Sequence, residues 1–295
     1  MKYVTLNNGV RMPQLGYGVF QIPAEACEAC VRDALALGYR LIDTAPVYGN
    51  EAAVGAAIKH AGIPREEVFL TTKLWVQDTS YEGAKRAAKA SMERLGVDYL
   101  DLYLIHHPIG DYYGAWRAME EMYRDGMIQA IGVCNFDEAR LVDLCMNHTV
   151  IPAVNQVEIH PFHQQVSAIQ TMKRYHVHPQ AWGPFSEGQR DIFHHPLLCE
   201  IAAHHGKSTA QVLLRWNLQQ GNIVIPKTVH RERMAENLDG WDFVLDSEEM
   251  EAVRTLDIGH SEIINHYSPC TAKVLNMTKI LSAEDGPDCT LTDQF

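Results

Sequence analysis

The sequence predicts an α/β fold, a closed (β/α)8 barrel of the TIM type, from three observations. Eight short apolar segments recur along the 295 residues, each followed by a loop and a helical stretch. They are QLGYGV, YRLIDTA, EVFLTTK, YLDLYLIH, IQAIGVCN, PAVNQVE, HPQAWGP and NIVIPK. They read as continuous apolar runs, as parallel strands buried on both faces must. One barrel of this kind with its insertions accounts for nearly the whole length.

The elements follow in order. VTLNNGVRMPQLG carries Asn8-Gly9 between two short apolar runs, a two-residue hairpin signal, placed as a plug under the barrel. Helical periodicity runs through AEACEACVRDALALG, NEAAVGAAIKHAG, YEGAKRAAKASMERLG, GAWRAMEEMYRDG, DEARLVDLCMNH and QQVSAIQTMKRYH. Gly38, Gly62, Gly96 and Gly126 stand where C-terminal caps belong. After the seventh strand the pattern doubles, LLCEIAAHHG then STAQVLLRWNLQQG, so an extra helix is expected there. RERMAENL and DSEEMEAVRTLD follow the eighth strand, the second opened by Asp246 with Glu249 three residues on, a capping pair. From about Gly259 the periodicity is lost and a tail is expected, part of it over the barrel mouth. Residues 1–295 are read as one barrel domain, with the tail from about 259.

Composition sets limits. A formal net charge of −12 argues against nucleic-acid and anionic-membrane partners. No apolar stretch reaches spanning length, and MKYVTLNNGVRMPQLG carries no charged-then-apolar signal pattern. Seven scattered cysteines do not make a disulfide framework, so a cytoplasmic monomer acting on a small molecule is expected.

The polar residues closing the segments are Asp43, Lys73, His106, Asn135, Gln156, Trp182 and Lys227, on the rim where barrels of this kind carry chemistry. Asp43 and Tyr48 lie in IDTAPVYGNE, just past the second strand. A phenol titrates near ~10 and is a poor acid at neutral pH. A lysine ammonium beside it favours the phenolate and lowers that value. A buried lysine keeps its charge only if paired, and Asp43 is the available carboxylate. His106, on the adjacent strand end, is placed to hold a carbonyl oxygen beside the phenol. There is no serine or cysteine nucleophile beside a base and no clear metal triad among the histidines, so no metal is expected. A proton donor without nucleophile or metal suits carbonyl reduction by a cofactor's hydride.

Six strings carry a resemblance: LIDTAPVYGNEAAVG, TTKLW, LYLIHHP, IGVCNF, NQVEIHP and IPKTVHRERMAEN. Together, in this order and on these strand ends, they resemble the aldo-keto reductase superfamily, from the hairpin to about Leu256. The resemblance implies a barrel that binds a nicotinamide dinucleotide without a Rossmann domain. Consistently, Gly16-Tyr17-Gly18 lacks the third glycine of the dinucleotide fingerprint. It implies a tetrad in which Tyr48 is the general acid, Lys73 its activator, Asp43 the partner of Lys73 and His106 the orienter of the carbonyl.

The resemblance further implies that Asn135 and Gln156 hold the nicotinamide carboxamide and that the ring stacks on Trp182. Cys134 stands where a hydroxyl residue is usual, and a thiol is a weak donor and acceptor. By the same resemblance the adenosine end of the cofactor is read by Lys227-Thr228-Val229 and the stretch from Arg233, with Lys227, Thr228 and Arg233 at the 2′-phosphate and Glu236 with Asn237 at the adenine, which favours NADPH over NADH; an arginine fork with a lysine suits a phosphate monoester. The pyrophosphate is expected across GPFSEGQRD, near Ser186, Glu187 and Arg190.

Duller readings accompany these. Cys27-Glu28-Ala29-Cys30 has redox-like spacing but lies on an amphipathic helix and reads as packing. The doublets His106-His107, His194-His195 and His204-His205 invite a metal reading, yet only His106 has a functional claim. The substrate wall is assigned to Phe20, Trp75, His106, His107 and Trp116, with Tyr112 and Tyr113 nearby. This resembles bacterial members that reduce small aldehydes, methylglyoxal-like α-dicarbonyls and keto sugars such as 2,5-diketogluconate. Two other classes remain: a noncatalytic NADPH-binding sensor of the same fold, and a barrel isomerase or aldolase. The intact tetrad speaks against the first; the absence of a glycine-rich phosphate loop in IPKTVHRER speaks against the second.

Overall fold

The computed structural model describes residues 1–280. Two short strands open the chain, β1 (Tyr3–Thr5) and β2 (Arg11–Pro13), paired antiparallel with Tyr3 opposite Pro13. Their connection is one residue longer than the two-residue turn expected. Gly9 N donates to Leu6 O and Leu6 N to Val10 O, each at 2.9 Å, enclosing Asn7-Asn8-Gly9. Gly9, at φ 87°, supplies the left-handed residue on which such a loop ends.

Eight strands follow: β3 (Tyr17–Gly18), β4 (Leu41–Asp43), β5 (Phe69–Leu74), β6 (Leu102–Ile105), β7 (Ile131–Cys134), β8 (Val154–Glu158), β9 (His178–Trp182) and β10 (Ile223–Val224). Neighbours pair in parallel and in chain order from β3 to β10. The seam closes through a Leu15–Val224 bridge, with Gly16 N on Val224 O at 2.8 Å and Val224 N on Gln14 O at 2.9 Å. Every strand falls on one of the apolar segments, so the (β/α)8 expectation holds.

The helices are α1 (Ala24–Leu37), α2 (Glu51–His60), α3 (Tyr81–Leu95), α4 (Tyr112–Arg124), α5 (Glu138–Asn147), α6 (Val166–Arg174), α7 (Pro196–His205), α8 (Thr209–Gln219), α9 (Arg231–Leu238), α10 (Ser247–Arg254) and α11 (Pro269–Met277). The doubling after β9 is present as α7 and α8, and Asp246 with Glu249 forms the expected capping box on α10. Helices α2 and α3 meet at Gly55, where an added Cβ would lie 2.1 Å from Leu95 O.

Two apolar layers result. One lies between strands and helices and holds Val31, Leu70, Tyr103, Trp116, Leu141 and Trp216 among others. The other fills the barrel with Leu41, Phe69, Leu102, Leu104, Val154 and Ile223, and Leu6 and Met12 of the hairpin join it from below. The hairpin is thus a floor that shields the strand starts from water.

The segment after Gly259, expected as a tail with part of it over the barrel mouth, reaches the mouth and also forms a helix. Ser268 accepts from Thr271 N at 3.1 Å and Pro269 takes the first turn, starting α11. Leu275 packs on Trp75 and Val76 beside the mouth, and Trp75 Nε1 donates to Thr278 O at 2.9 Å. A Ser-Pro start was the available signal; a single buried residue, Leu275, gave too weak a periodicity to read. The rest of the expected tail, from 281, lies outside the described residues. Among the described residues no helix is long and apolar enough to cross a membrane.

Candidate active site

Strand parity builds the site. Alternate residues of a strand share a face, and Leu41, Phe69, Leu102, Leu104 and Val154 face the barrel interior. Counting up by twos turns Asp43, Lys73, His106 and Gln156 to the same interior face, at the C-terminal ends of their strands. Tyr48 arrives differently, at the end of the short 3-10 turn Pro46–Tyr48 that follows β4. That turn is anchored by Asn50, which accepts from Thr44 Oγ1 at 2.8 Å and donates to Val19 O and Ile22 O at 3.0 Å.

The four residues expected to carry chemistry meet there. Lys73 Nζ donates to Asp43 Oδ1 at 2.5 Å, to Thr44 O at 3.0 Å and to Tyr48 Oη at 3.3 Å. Gln156 Nε2 donates to Asp43 Oδ2 at 2.7 Å, so both carboxylate oxygens are occupied. Burial opposes the Lys73 charge, but Asp43, Tyr48 and Cys134 together outweigh it and the ammonium is held more firmly than an ordinary lysine's. Burial pushes the Tyr48 phenol up to about 12, and the pull of Lys73 in the other direction does not overcome it. This corrects the expectation of a lowered phenol: desolvation of a fully enclosed ring outweighs one neighbouring cation.

His106 lies edge-on to Tyr48 at 5.8 Å and to Trp75 at 5.2 Å, and stacks on His107 at 4.7 Å. Burial first, then His107 and Lys73, holds His106 well below the ordinary imidazole value; burial and His266 do the same to His107. Both rings are therefore neutral at neutral pH. His106 Nδ1 is buried without a partner among the described residues. Asn135 Nδ2 points at His107 Nδ1 from 3.4 Å, which leaves the His107 proton on Nε2.

Asn135 sits just past β7 at φ 59°, a left-handed turn that swings its side chain out of the strand. Its amide donates to His106 O at 3.1 Å and its oxygen accepts from Trp182 Nε1 at 2.9 Å. Trp182 is thereby locked, half-buried, at the top of β9. Phe20 is exposed at the rim with its ring 5.0 Å from that of Tyr48.

Farther round the mouth, Lys227, Val229 and Arg233 are exposed, Glu236 is half-buried, and Thr228 and Asn237 are buried. Tyr17 Oη donates to Thr228 O at 2.5 Å and Tyr39 Oη to Met234 O at 3.0 Å, fastening this loop and α9 to the barrel. Among the described residues neither Lys227 nor Arg233 has an ion-pair partner, whereas Arg231 pairs with Asp33 at 3.2 Å. Arg190, expected at the pyrophosphate, is spent on Glu262 through two hydrogen bonds of 2.6 and 2.8 Å.

One assignment needs correction, and a second residue, Cys134, is enclosed. Trp116 is 0% exposed inside the strand–helix core and donates to Val150 O at 3.2 Å, so it does not reach the mouth. The periodic face of α4 turns it inward, and Tyr113 beside it bonds Asp143 of α5. Cys134 is also 0% exposed: paired with Gln156, it faces into the barrel above Leu104 and Val154 and close to Lys73 and Asp43, and burial raises its thiol. It offers a ligand no surface.

Three residues were not foreseen. His266, from the tail, lies 5.2 Å from the His107 ring and 6.2 Å from Trp182, and burial lowers it to about 4. Glu158, two residues above Gln156 in the same row, takes hydrogen bonds from His160 Nε2 at 2.8 Å and Ser261 Oγ at 2.6 Å. Parity gave a signal for Glu158. None existed for Ser261 or His266, whose placement depends on the path of the tail.

The comparisons agree with this geometry. The aldo/keto reductase family profile matches residues 14–258. The chain is 46% identical over 257 residues to the glyoxal reductase of Bacillus subtilis, covering 86% of this chain and 92% of that protein. It is 43% identical over 270 residues to the morphine 6-dehydrogenase of Pseudomonas putida, covering 87% and 91%. The fold superposes on an aldo-keto reductase from a Medee basin deep-sea metagenome library with TM-score 0.88 and 39% identity, covering 90% and 98%. It also superposes on the Bombyx mori aldo-keto reductase in complex with NADP, with TM-score 0.84 and 32% identity, covering 88% and 94%. With a matching profile over most of its length and a barrel that carries Asp43, Tyr48, Lys73 and His106 at one mouth, the chain belongs to the aldo/keto reductase family and is an oxidoreductase.

Proposed function

We propose that this chain reduces aldehydes or ketones to alcohols with NADPH, Tyr48 acting as the general acid. The observation that carries the reading is Lys73 Nζ, bonded at once to Asp43 Oδ1 and Tyr48 Oη. When bound, NADPH supplies the hydride for the carbonyl carbon. The chain's residues handle the proton. An acid must hold its proton before giving it, and a phenol pushed up to about 12 is fully protonated at neutral pH. Its loss becomes favourable only when the carbonyl oxygen gains negative charge, and the neighbouring ammonium then stabilises the phenolate. Asp43 keeps Lys73 charged, and Gln156 keeps Asp43 in place.

His106 positions the carbonyl oxygen. With Nδ1 sealed and unpartnered, a bare nitrogen there costs less than a stranded N–H, so the proton belongs on Nε2. A neutral imidazole donates one hydrogen bond without competing with Tyr48 to supply the proton.

The residues fit the cofactor by donor chemistry. Lys227, in the loop before α9, and Arg233, in its first turn, are exposed cations apt for a phosphate monoester. Val229, Thr228, Glu236 and Asn237 frame the same end, and Trp182 presents a ring beside Asn135 and Gln156 at the other. The substrate wall is Phe20, Trp75, His107 and His266, aromatic and uncharged. Neutral donors beside the carbonyl slot suit small aldehydes, α-dicarbonyls and keto sugars, in keeping with the similarity to a glyoxal reductase. Free cysteines throughout the described residues suit a reducing cytoplasm.

The test is loss of NADPH absorbance with a panel of glyoxal, methylglyoxal, simple aldehydes and keto sugars. Steady oxidation with one or more supports the reading; NADPH binding with a flat trace for every carbonyl overturns it.

A further inference from the structure

We propose that His204, His205 and Glu249 form a binding site for a divalent transition-metal ion of the zinc class, on the outer helical layer and separate from the barrel mouth. His204 and His205 are the last two residues of α7, and Glu249 lies in the first turn of α10. His204 Nδ1 is 2.8 Å from Glu249 Oε1, and His205 Nε2 is 2.9 Å from both carboxylate oxygens. One ligand atom from each residue lies within 4.8 Å of the others. The sequence shows the His204-His205 doublet but not the carboxylate that completes it, which comes from the neighbouring helix.

The site is preset by contacts that do not involve an ion. Glu249 is held by its capping box, with Asp246 N on Glu249 Oε2 and Glu249 N on Asp246 Oδ1, each at 2.9 Å. Gly206, at φ 62°, ends α7 directly behind the two imidazoles, and the His205 ring packs 5.0 Å from Phe243. Side-chain exposure is 11% for Glu249, 16% for His205 and 67% for His204, so the cluster is closed toward the protein and open on one side. That side gives an ion access and leaves room for water as a further ligand.

Two imidazoles and a carboxylate are a donor set that zinc, cobalt and nickel accept. With metal–ligand bonds of about 2.0–2.1 Å, tetrahedral ligands stand about 3.3 Å apart. The separations of 2.8–2.9 Å here need only small side-chain rotations to open to that span. Lys207, two residues after His205, is already matched by Asp242 at 2.8 Å and Asp239 at 3.8 Å. The Asp246 carboxylate adds negative charge beside the cluster. An ion there would join α7 to α10, the last helix before the tail.

Calorimetric titration of the full chain with zinc chloride, at about pH 7.5 where imidazoles compete well for metal, tests this. Cobalt absorption gives a second readout, because it reports coordination geometry directly. The expected result is a site whose affinity falls about tenfold or more in His205→Ala and in Glu249→Gln but not in His194→Ala, a control doublet position. Glu249→Gln keeps a side chain able to cap the helix, so its thermal melt without metal checks that the fold is intact. Zinc should raise the melting temperature of the wild type and not of the two variants. The proposal is overturned if the wild type takes up no zinc by about 100 µM. It is equally overturned if every site seen in the wild type survives unchanged in both variants, which would locate binding among other histidines.

Discussion

On the β4–β6 side of the barrel mouth, Asp43, Lys73 and His106 top regular strands and are 2%, 0% and 8% exposed. On the β10 side, Lys227, Val229 and Arg233 ride on a loop and a helix start that are open to water. The first region has its charges paired inside the protein before any ligand arrives. The second keeps its cations without partners among the described residues. A buried pair costs several kcal/mol of desolvation and survives only with good geometry, so it is a rigid device. Exposed cations cost little and gain their worth on binding. Under the proposed function the contrast is a division of labour: fixed proton chemistry on one side, and a grip on the cofactor on the other.

The sharpest way to break this comparison is to remove a cation from each side. Lys73→Met leaves Asp43 buried with only Gln156 as a partner and should cost about 3–5 kcal/mol of stability, together with nearly all turnover. Lys227→Met should leave stability within about 0.5 kcal/mol. Denaturant melts of the two variants decide it, and equal losses would end the distinction between a rigid and an open side.

Tyr48→Phe separates chemistry from packing within the rigid side. The hydroxyl makes one long bond, 3.3 Å from Lys73, so the fold should hold. Turnover should fall by roughly 10²–10⁴, with NADPH affinity within a few fold. A variant keeping a tenth or more of wild-type turnover would remove Tyr48 from the acid role.

Burial also gives the rigid side a pH signature. His106 and His107 are held well below their ordinary value of 6.5. The folded chain therefore binds fewer protons at these sites than the unfolded one, and acid favours unfolding. Stability should fall as pH descends from 6.5, by up to about 1.4 kcal/mol per unit for each histidine. His107→Asn should flatten that slope; an unchanged slope would mean that His107 is not a buried neutral imidazole.

The same division governs what the sequence reveals. Strand-end residues were legible because period two ties each to the apolar residues below it: Leu41 to Asp43, Leu104 to His106, Val154 to Gln156. That rule, followed strictly, would also have placed Cys134 inside the barrel. Trp116 is close to the mouth in sequence but not in space, because α4 turns that residue inward. His266 and Ser261 had no readable signal. Their positions follow from tertiary contacts such as Arg190–Glu262 and Ser261–Glu158, which join segments far apart in the chain.

On the open side, Arg233→Ala should weaken NADPH about tenfold and NADH little, since a hydrogen bond to a charged group contributes about 1.5–3 kcal/mol. Fluorescence titration with both cofactors measures this. Equal weakening would mean that Arg233 supports α9 and does not read a phosphate.

The smallest expected effect tests the border between the two regions, at Cys134. The thiol is sealed among Leu104, Val154 and their neighbours, and the adjacent Asn135 is the residue that leaves the strand. A serine hydroxyl there would be buried beside Gln156, Lys73 and Asp43, whose polar atoms already bond one another. Burying a hydroxyl in that way costs about 1–3 kcal/mol by mutational data, and its small size favours the lower end. Cys134→Ser should therefore lower stability by about 1 kcal/mol while leaving NADPH dissociation and single-turnover hydride transfer unchanged. Cys134→Ala, which adds no polar group, should fall near the same stability through lost packing. If Cys134→Ser instead tightens NADPH while Cys134→Ala does not, the position does reach the cofactor. The barrel top would then have to open on binding, and the rigid side would be less rigid than its burial implies.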